Sequence, residues 1–170
     1  MKKLNIVLPA HNEHNNISPI YKEIILALAN CKYPYEILFI DDGSTDDTLA
    51  QIKALSATDS KVKFIELSRN FGHQNALKAG LDMCNADIII MMDCDLQHPP
   101  HLINELLRNY ELGYEIVRTH RVDGNSVGFI KSKTSSLFYN IISKFSPTLN
   151  LFQKTRWRPY SKLSERALCA

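Results

Sequence analysis

Four short apolar runs constrain this chain more than any other feature, because each is followed at once by a polar cluster and then by a stretch of helical periodicity. The runs cover residues 4–8, 35–40, 62–67 and 88–92. They lack strict apolar–polar alternation, so they are expected to be strands covered on both faces. Residues 17–29, 46–55 and 74–84 carry apolar positions at helical spacing and open on polar residues, as helices do. Strand and helix in turn predict an α/β fold, a mostly parallel sheet with right-handed crossovers and helices on both faces. The pattern predicts a further helix over 101–111, a fifth strand over 114–117 and a helix near 130–145.

Ligands of such sheets sit beyond the carboxyl ends of the strands, so the polar clusters after the runs are the candidate site. Asp93-Cys94-Asp95 sets two carboxylates at the end of the very apolar run 88–92, where an uncompensated charge is costly. Oxygen donors of this kind select a hard cation, Mg2+ or Mn2+, that keeps positions open for phosphate oxygens. The plainer reading is a solvated turn that caps the next helix, and a short D-x-D pattern also arises by chance. Asp41-Asp42-Gly43-Ser44-Thr45-Asp46 reads as a turn and helix cap, with Gly43 free to take positive φ, while Asp41 or Asp42 can accept hydrogen bonds from a base or ribose.

Pro9-Ala10-His11-Asn12-Glu13 ends the first run with a rigid proline, a ring that can stack and a carboxylate that can accept from a nucleobase edge, or is an ordinary strand-to-helix loop. Ser68-Arg69-Asn70-Phe71-Gly72 offers a cation and backbone N–H groups before a helix, suited to a diphosphate; Arg69 equally suits an ion pair with the acidic loop. His11, His73, His98 and His101 all fall after strands without zinc spacing and read as binding or supporting groups. No nucleophilic triad, G-x-G-x-x-G or G-x-x-x-x-G-K is present, which argues against dinucleotide dehydrogenases and P-loop NTPases.

Composition narrows the classes further. With 20 basic against 18 acidic residues, the net charge of +2 gives no footprint for nucleic acid. Basic residues predominate after Arg118, where a phosphate or membrane surface could be met. The four cysteines, Cys31, Cys84, Cys94 and Cys169, form no C-x-x-C pair, which fits a reducing cytoplasm. No apolar stretch approaches the roughly 18–20 residues of a spanning helix.

Taken in order, the four clusters, extended to His73 and to Asp93-Cys94-Asp95-Leu96-Gln97-His98-Pro99-Pro100, resemble the family 2 glycosyltransferases. The chain is most similar to the polyprenyl-phosphate sugar transferases, the dolichol-phosphate mannose synthase and bactoprenol glucosyltransferase group, over residues 3–145. The resemblance implies a GT-A fold and inverting transfer from a UDP- or GDP-sugar to a polyprenyl phosphate. It places Pro9, His11, Glu13, Asp41 and Asp42 at the nucleotide, with His11 where the family usually has Tyr, and Cys94 beside them. Asp93 and Asp95, with Gln97, would hold Mg2+ or Mn2+, and Arg121, Lys131 and Lys133 would meet the acceptor phosphate.

Residues 1–148 are expected to form the catalytic domain and 149–170 a divergent tail, with the family's further C-terminal remainder absent. Two alternatives stay open: a family 2 transferase that elongates a saccharide, and a nucleotide-sugar-binding remnant without catalysis. The expected location is the cytoplasm, peripheral to the membrane face.

Overall fold

The structure, a computed structural model, describes residues 1–96, 99–117 and 119. The chain divides into two compact units, Met1–Gly113 and Tyr114–Ala170. The first unit runs β1 (Leu4–Ala10), α1 (His14–Ala27), β2 (Tyr35–Asp41), α2 (Thr48–Thr58), β3 (Val62–Glu66), α3 (His73–Met83), β4 (Ile88–Met91) and α4 (Leu102–Glu111). All four strands are parallel, in the order β3-β2-β1-β4. Strand order therefore reverses between β1 and β4, the switch point at which open α/β sheets form their crevice.

Burial follows from the apolar runs. On one face Leu4, Ile6, Leu8 and Ala10 of β1 join Ile37 and Phe39 of β2 and Ile88 and Ile90 of β4, under Ile17, Ile20 and Ile24 of α1, Ile52 of α2 and Ile103 and Leu107 of α4. Each of these Leu, Ile and Phe side chains stabilises by about 1.5–3 kcal/mol when fully buried. On the other face Val7, Leu38 and Ile40 meet Ala76 of α3. Gly80 lets α3 lie close to the sheet, since a Cβ there would come within 2.7 Å of Ile40 Cδ1 and 2.8 Å of Val7 Cγ1. Helices thus cover both faces, as the alternation predicts.

Several expectations are corrected in detail. Pro9 does not stop β1, which continues to Ala10 with Pro9 opposite Ile40 in the β2 register. What it ends is the pairing with β4: the ladder closes with Met92 N–H donating to the Val7 carbonyl, and the next donor from β1 would be the N–H that proline lacks. β4 is thereby released from the sheet just before Asp93.

The edge strands are not covered on both faces either. β3 is exposed at Lys63, Phe64 and Glu66, and β4 alternates, with Ile89 and Met91 exposed. Helix α1 begins three residues early because the Glu13 carbonyl accepts the N–H groups of Asn16 and Ile17, which puts Pro19 in its second turn. Residues 114–117 form no strand. That run is only four residues long, includes Glu115 and leaves Ile116 55% exposed, so little burial drives extension. The expected helix near 130–145 lies outside the described residues, and among the described residues no helix is long and apolar enough to cross a membrane.

Candidate functional site

The loop after β1 is tied to the loop after β2 by hydrogen bonds from both sides. Asn12, at φ 56°, takes the left-handed conformation that Asn tolerates better than most residues. Its N–H donates to Ser44 Oγ at 3.0 Å, and its Oδ1 accepts from the Thr45 N–H at 2.8 Å. Glu13 N–H donates to Thr48 Oγ1 at 2.8 Å, and His14 Nδ1 lies 2.7 Å from Asp46 Oδ2. Burial acts to raise the Asp46 carboxyl, but hydrogen bonds from the Thr48 side chain and N–H and from His14 outweigh it and hold the group well below its usual range. Asp46, which precedes the N-cap residue Asp47, so braces the start of α2 by accepting the Thr48 N–H at 3.0 Å.

The loop after β3 is fixed to the loop after β2 in turn. Asp42, 3% exposed, accepts from Phe71 N–H at 2.8 Å through Oδ1 and from Gly72 N–H at 2.9 Å through Oδ2. These are two of the backbone donors that the sequence offers to a diphosphate. Arg69 forms no ion pair among the described residues; its guanidinium lies 4.7 Å from the centroid of the Phe71 ring. Asp41, 1% exposed, accepts from Ser44 N–H at 3.2 Å through Oδ2, while its Oδ1 has no hydrogen-bond partner among the described residues. A buried acceptor left over in this way calls for an explanation.

The loop after β4 alternates inward and outward. Cys94 is buried in the main core and Leu96 packs against it, whereas Asp93 and Asp95 are partly exposed. Leu96 has φ 59°, a strained value for a bulky residue, and it is held there by its core contact. Burial first, then the negative charges of Glu13, Asp93 and Asp95, push the Cys94 thiol well above its usual range. It stays neutral, and only its backbone is available to a ligand. His73, at the start of α3, reaches toward this loop with Nε2 3.5 Å from Asp93 Oδ1.

The four loops are thus brought together by named contacts. Asp41, Asp42, His11, Glu13, Cys94, Asp93 and Asp95 all lie among them. His11 is half-buried and oriented by Nδ1, which donates to the Asp42 carbonyl at 2.8 Å because a carbonyl can only accept. The Glu13 carboxylate accepts from Asn16 Nδ2 at 2.6 Å through Oε2. Pro9 is buried within β1. Gln97, His98, Arg121, Lys131 and Lys133 lie outside the described residues.

Among the described residues no three metal-ligating side chains come together. Mg2+ and Mn2+ need only one or two protein carboxylates when a diphosphate supplies further oxygens, so the donor set of Asp93 and Asp95 fits such an ion. Two contributors escaped the sequence reading. Thr48 was expected within a helix and His14 ahead of one, yet they support the loops through a hydroxyl and an imidazole; the polar residues flanking both helix starts were the available signal.

Comparison with known proteins agrees with this arrangement. The CsbB protein of Bacillus subtilis (strain 168) is 43% identical over 141 residues, covering 83% of this chain and 43% of that protein. The bactoprenol glucosyl transferase of Shigella phage SfV is 38% identical over 144 residues, 85% of this chain and 47% of its own length. The chain thus spans slightly under half the length of these relatives. Among solved structures, glucosyl-3-phosphoglycerate synthase from Mycobacterium tuberculosis, in complex with Mn2+, UDP and glucosyl-3-phosphoglycerate, aligns with a TM-score of 0.51 and 27% identity, over 67% of this chain and 41% of that one. The sheet and its helices are accordingly a GT-A fold. The family model for glycosyl transferase family 2 matches residues 5–163, and the chain belongs to that family.

Proposed function

We propose that this chain carries the donor site of an inverting, metal-dependent transferase that moves a sugar from a UDP- or GDP-sugar to a polyprenyl phosphate at the cytoplasmic membrane face. The observation that carries the reading is the meeting of four post-strand loops, with Asp93 and Asp95 partly exposed on either side of the buried Cys94. The phage relative named as a bactoprenol glucosyl transferase supports the acceptor class, and the mycobacterial structure with Mn2+ and UDP supports the donor and cation classes.

In this reading Asp93 and Asp95, with Gln97, hold Mg2+ or Mn2+, which when bound offsets the charge of the leaving nucleotide. The nucleoside lies along Pro9, His11 and Glu13, with the His11 ring available to stack. Asp41, whose Oδ1 has no hydrogen-bond partner among the described residues, or Asp42 takes a hydrogen bond from base or ribose. Cys94 contributes through its backbone. Arg121, Lys131 and Lys133 receive the acceptor phosphate.

A phosphate monoester is already anionic at neutral pH, so its oxygen can attack the anomeric carbon without a general base. The new bond joins that oxygen to the anomeric carbon as the bond to the diphosphate breaks on the opposite side. Positioning and charge then do the catalysis. Incubating the protein with UDP-glucose or GDP-mannose, Mn2+ and a short polyprenyl phosphate should yield the glycosyl lipid phosphate. Sugar transfer to a saccharide instead would contradict the acceptor class, and nucleotide binding without transfer to any acceptor would favour a binding domain.

A further inference from the structure

At the opposite end of α3 from His73, Cys84 meets a buried amide. Asn5 lies on the face of β1 that it shares with Val7, and it is 4% exposed. Its Nδ2 donates to the Cys84 sulfur at 3.0 Å, and its Oδ1 has no hydrogen-bond partner among the described residues. A buried acceptor left without a donor costs stability, and a valine or leucine would fill this position on β1 without that cost. Cys84 follows directly on α3 and packs against the cluster of Val7, Leu38, Ile40 and Ala76, yet it is only partly buried, which leaves it open to a small solute.

The amide thus presents a donor and an acceptor beside one sulfur, whereas a thiol has a single weak proton to give. A sulfenic acid, with an O–H to donate and an oxygen to accept, matches both. We propose that Cys84 is a reversible oxidation site for a peroxide, at which Asn5 holds the sulfenic acid by accepting its O–H at Oδ1 and donating from Nδ2. Sγ attacks one peroxide oxygen and the O–O bond breaks; sulfur is oxidised by an electron pair, and the second oxygen leaves with the thiol proton as water. A dithiol reverses the step, becoming a disulfide as the sulfenic oxygen departs as water. Cys31 is also partly buried but packs against the main core, and its sulfur accepts from no side-chain amide among the described residues. The proposal does not depend on the donor-site reading.

Brief exposure of the full chain to hydrogen peroxide, then to dimedone, followed by peptide mass spectrometry, tests it. The sulfenic-acid adduct should form on Cys84 about tenfold more than on Cys31, the scale of one or two net hydrogen bonds, and dithiothreitol added before dimedone should abolish it. Asn5→Leu removes the amide, keeps the bulk and relieves the unpaired acceptor. It should lower the Cys84 adduct about tenfold while leaving alkylation of Cys84 by iodoacetamide unchanged. If that variant does not fold, the comparison of Cys84 with Cys31 in the unsubstituted chain decides alone.

A Cys84 adduct no stronger than that of Cys31 would overturn the proposal, as would oxidation that passes directly to the sulfinic acid. So would a folded Asn5→Leu variant that forms the adduct like the unsubstituted chain, or one that loses adduct and iodoacetamide reactivity in parallel.

Discussion

Gly43 lies against Arg69 so closely that a Cβ on residue 43 would stand 2.3 Å from the Arg69 carbonyl carbon. The contact is backbone to backbone, and Gly43 also has φ +63°, so a side chain meets both a steric and a conformational obstacle. Gly43→Ala should destabilise the fold by about 2–4 kcal/mol, read from urea unfolding at constant m-value. A loss below about 0.5 kcal/mol would mean that the loops after β2 and β3 do not cross as described.

The hydrogen bonds to Asp46 predict a pH dependence of stability. Its folded carboxyl lies below the ordinary value of 3.8, so its contribution is complete above that value and is lost as pH falls through the lower folded value. Unfolding followed from pH 6 down to about pH 2 should show a flatter acid limb for Asp46→Asn than for the unsubstituted chain. Parallel acid limbs would contradict the His14 and Thr48 contacts.

Cys94 should be chemically silent. Its thiol is 2% exposed and is pushed upward by burial and by the nearby carboxylates, whereas Cys31 and Cys84 are only partly buried. Under native conditions, mass spectrometry after limited alkylation should find Cys31 and Cys84 modified well before Cys94. Early labelling of Cys94 would contradict its burial between the partly exposed Asp93 and Asp95.

The acceptor proposal separates from the donor site by kinetics. Arg121→Ala should leave UDP or GDP affinity unchanged while lowering kcat/KM for the polyprenyl phosphate by about 10²-fold, the scale for removing one charged group that stabilises a transition state. An equal loss in nucleotide affinity would move Arg121 to the donor side.

The four strands and the class of the sheet were legible because apolar runs such as residues 35–40 and 88–92 report burial directly, whatever their partners. Which loops would meet was also readable in outline from the rule that sites follow parallel strands. How Asp41 and Asp42 differ was not. Both stand at the end of one strand, and only the crossing of residues 69–72 brings two backbone donors to Asp42. Gly43 was readable as a positive-φ residue but not as a point of contact with Arg69, since that partner is distant in sequence. The fifth strand failed for the opposite reason: residues 114–117 have strand-like composition but little burial to hold them extended.

The central claim is that Asp93 and Asp95 form the metal and diphosphate end of a nucleotide-sugar site. Calorimetric titration of the unsubstituted chain and of Asp95→Ala with UDP and GDP, in Mn2+ and again in excess chelator, tests it most directly. The account predicts nucleotide binding that depends on Mn2+, is lost by at least tenfold in Asp95→Ala, and leaves the unfolding midpoint of that variant nearly unchanged. Equal affinity with and without the ion, or unaltered Mn2+-dependent binding by Asp95→Ala, would contradict it.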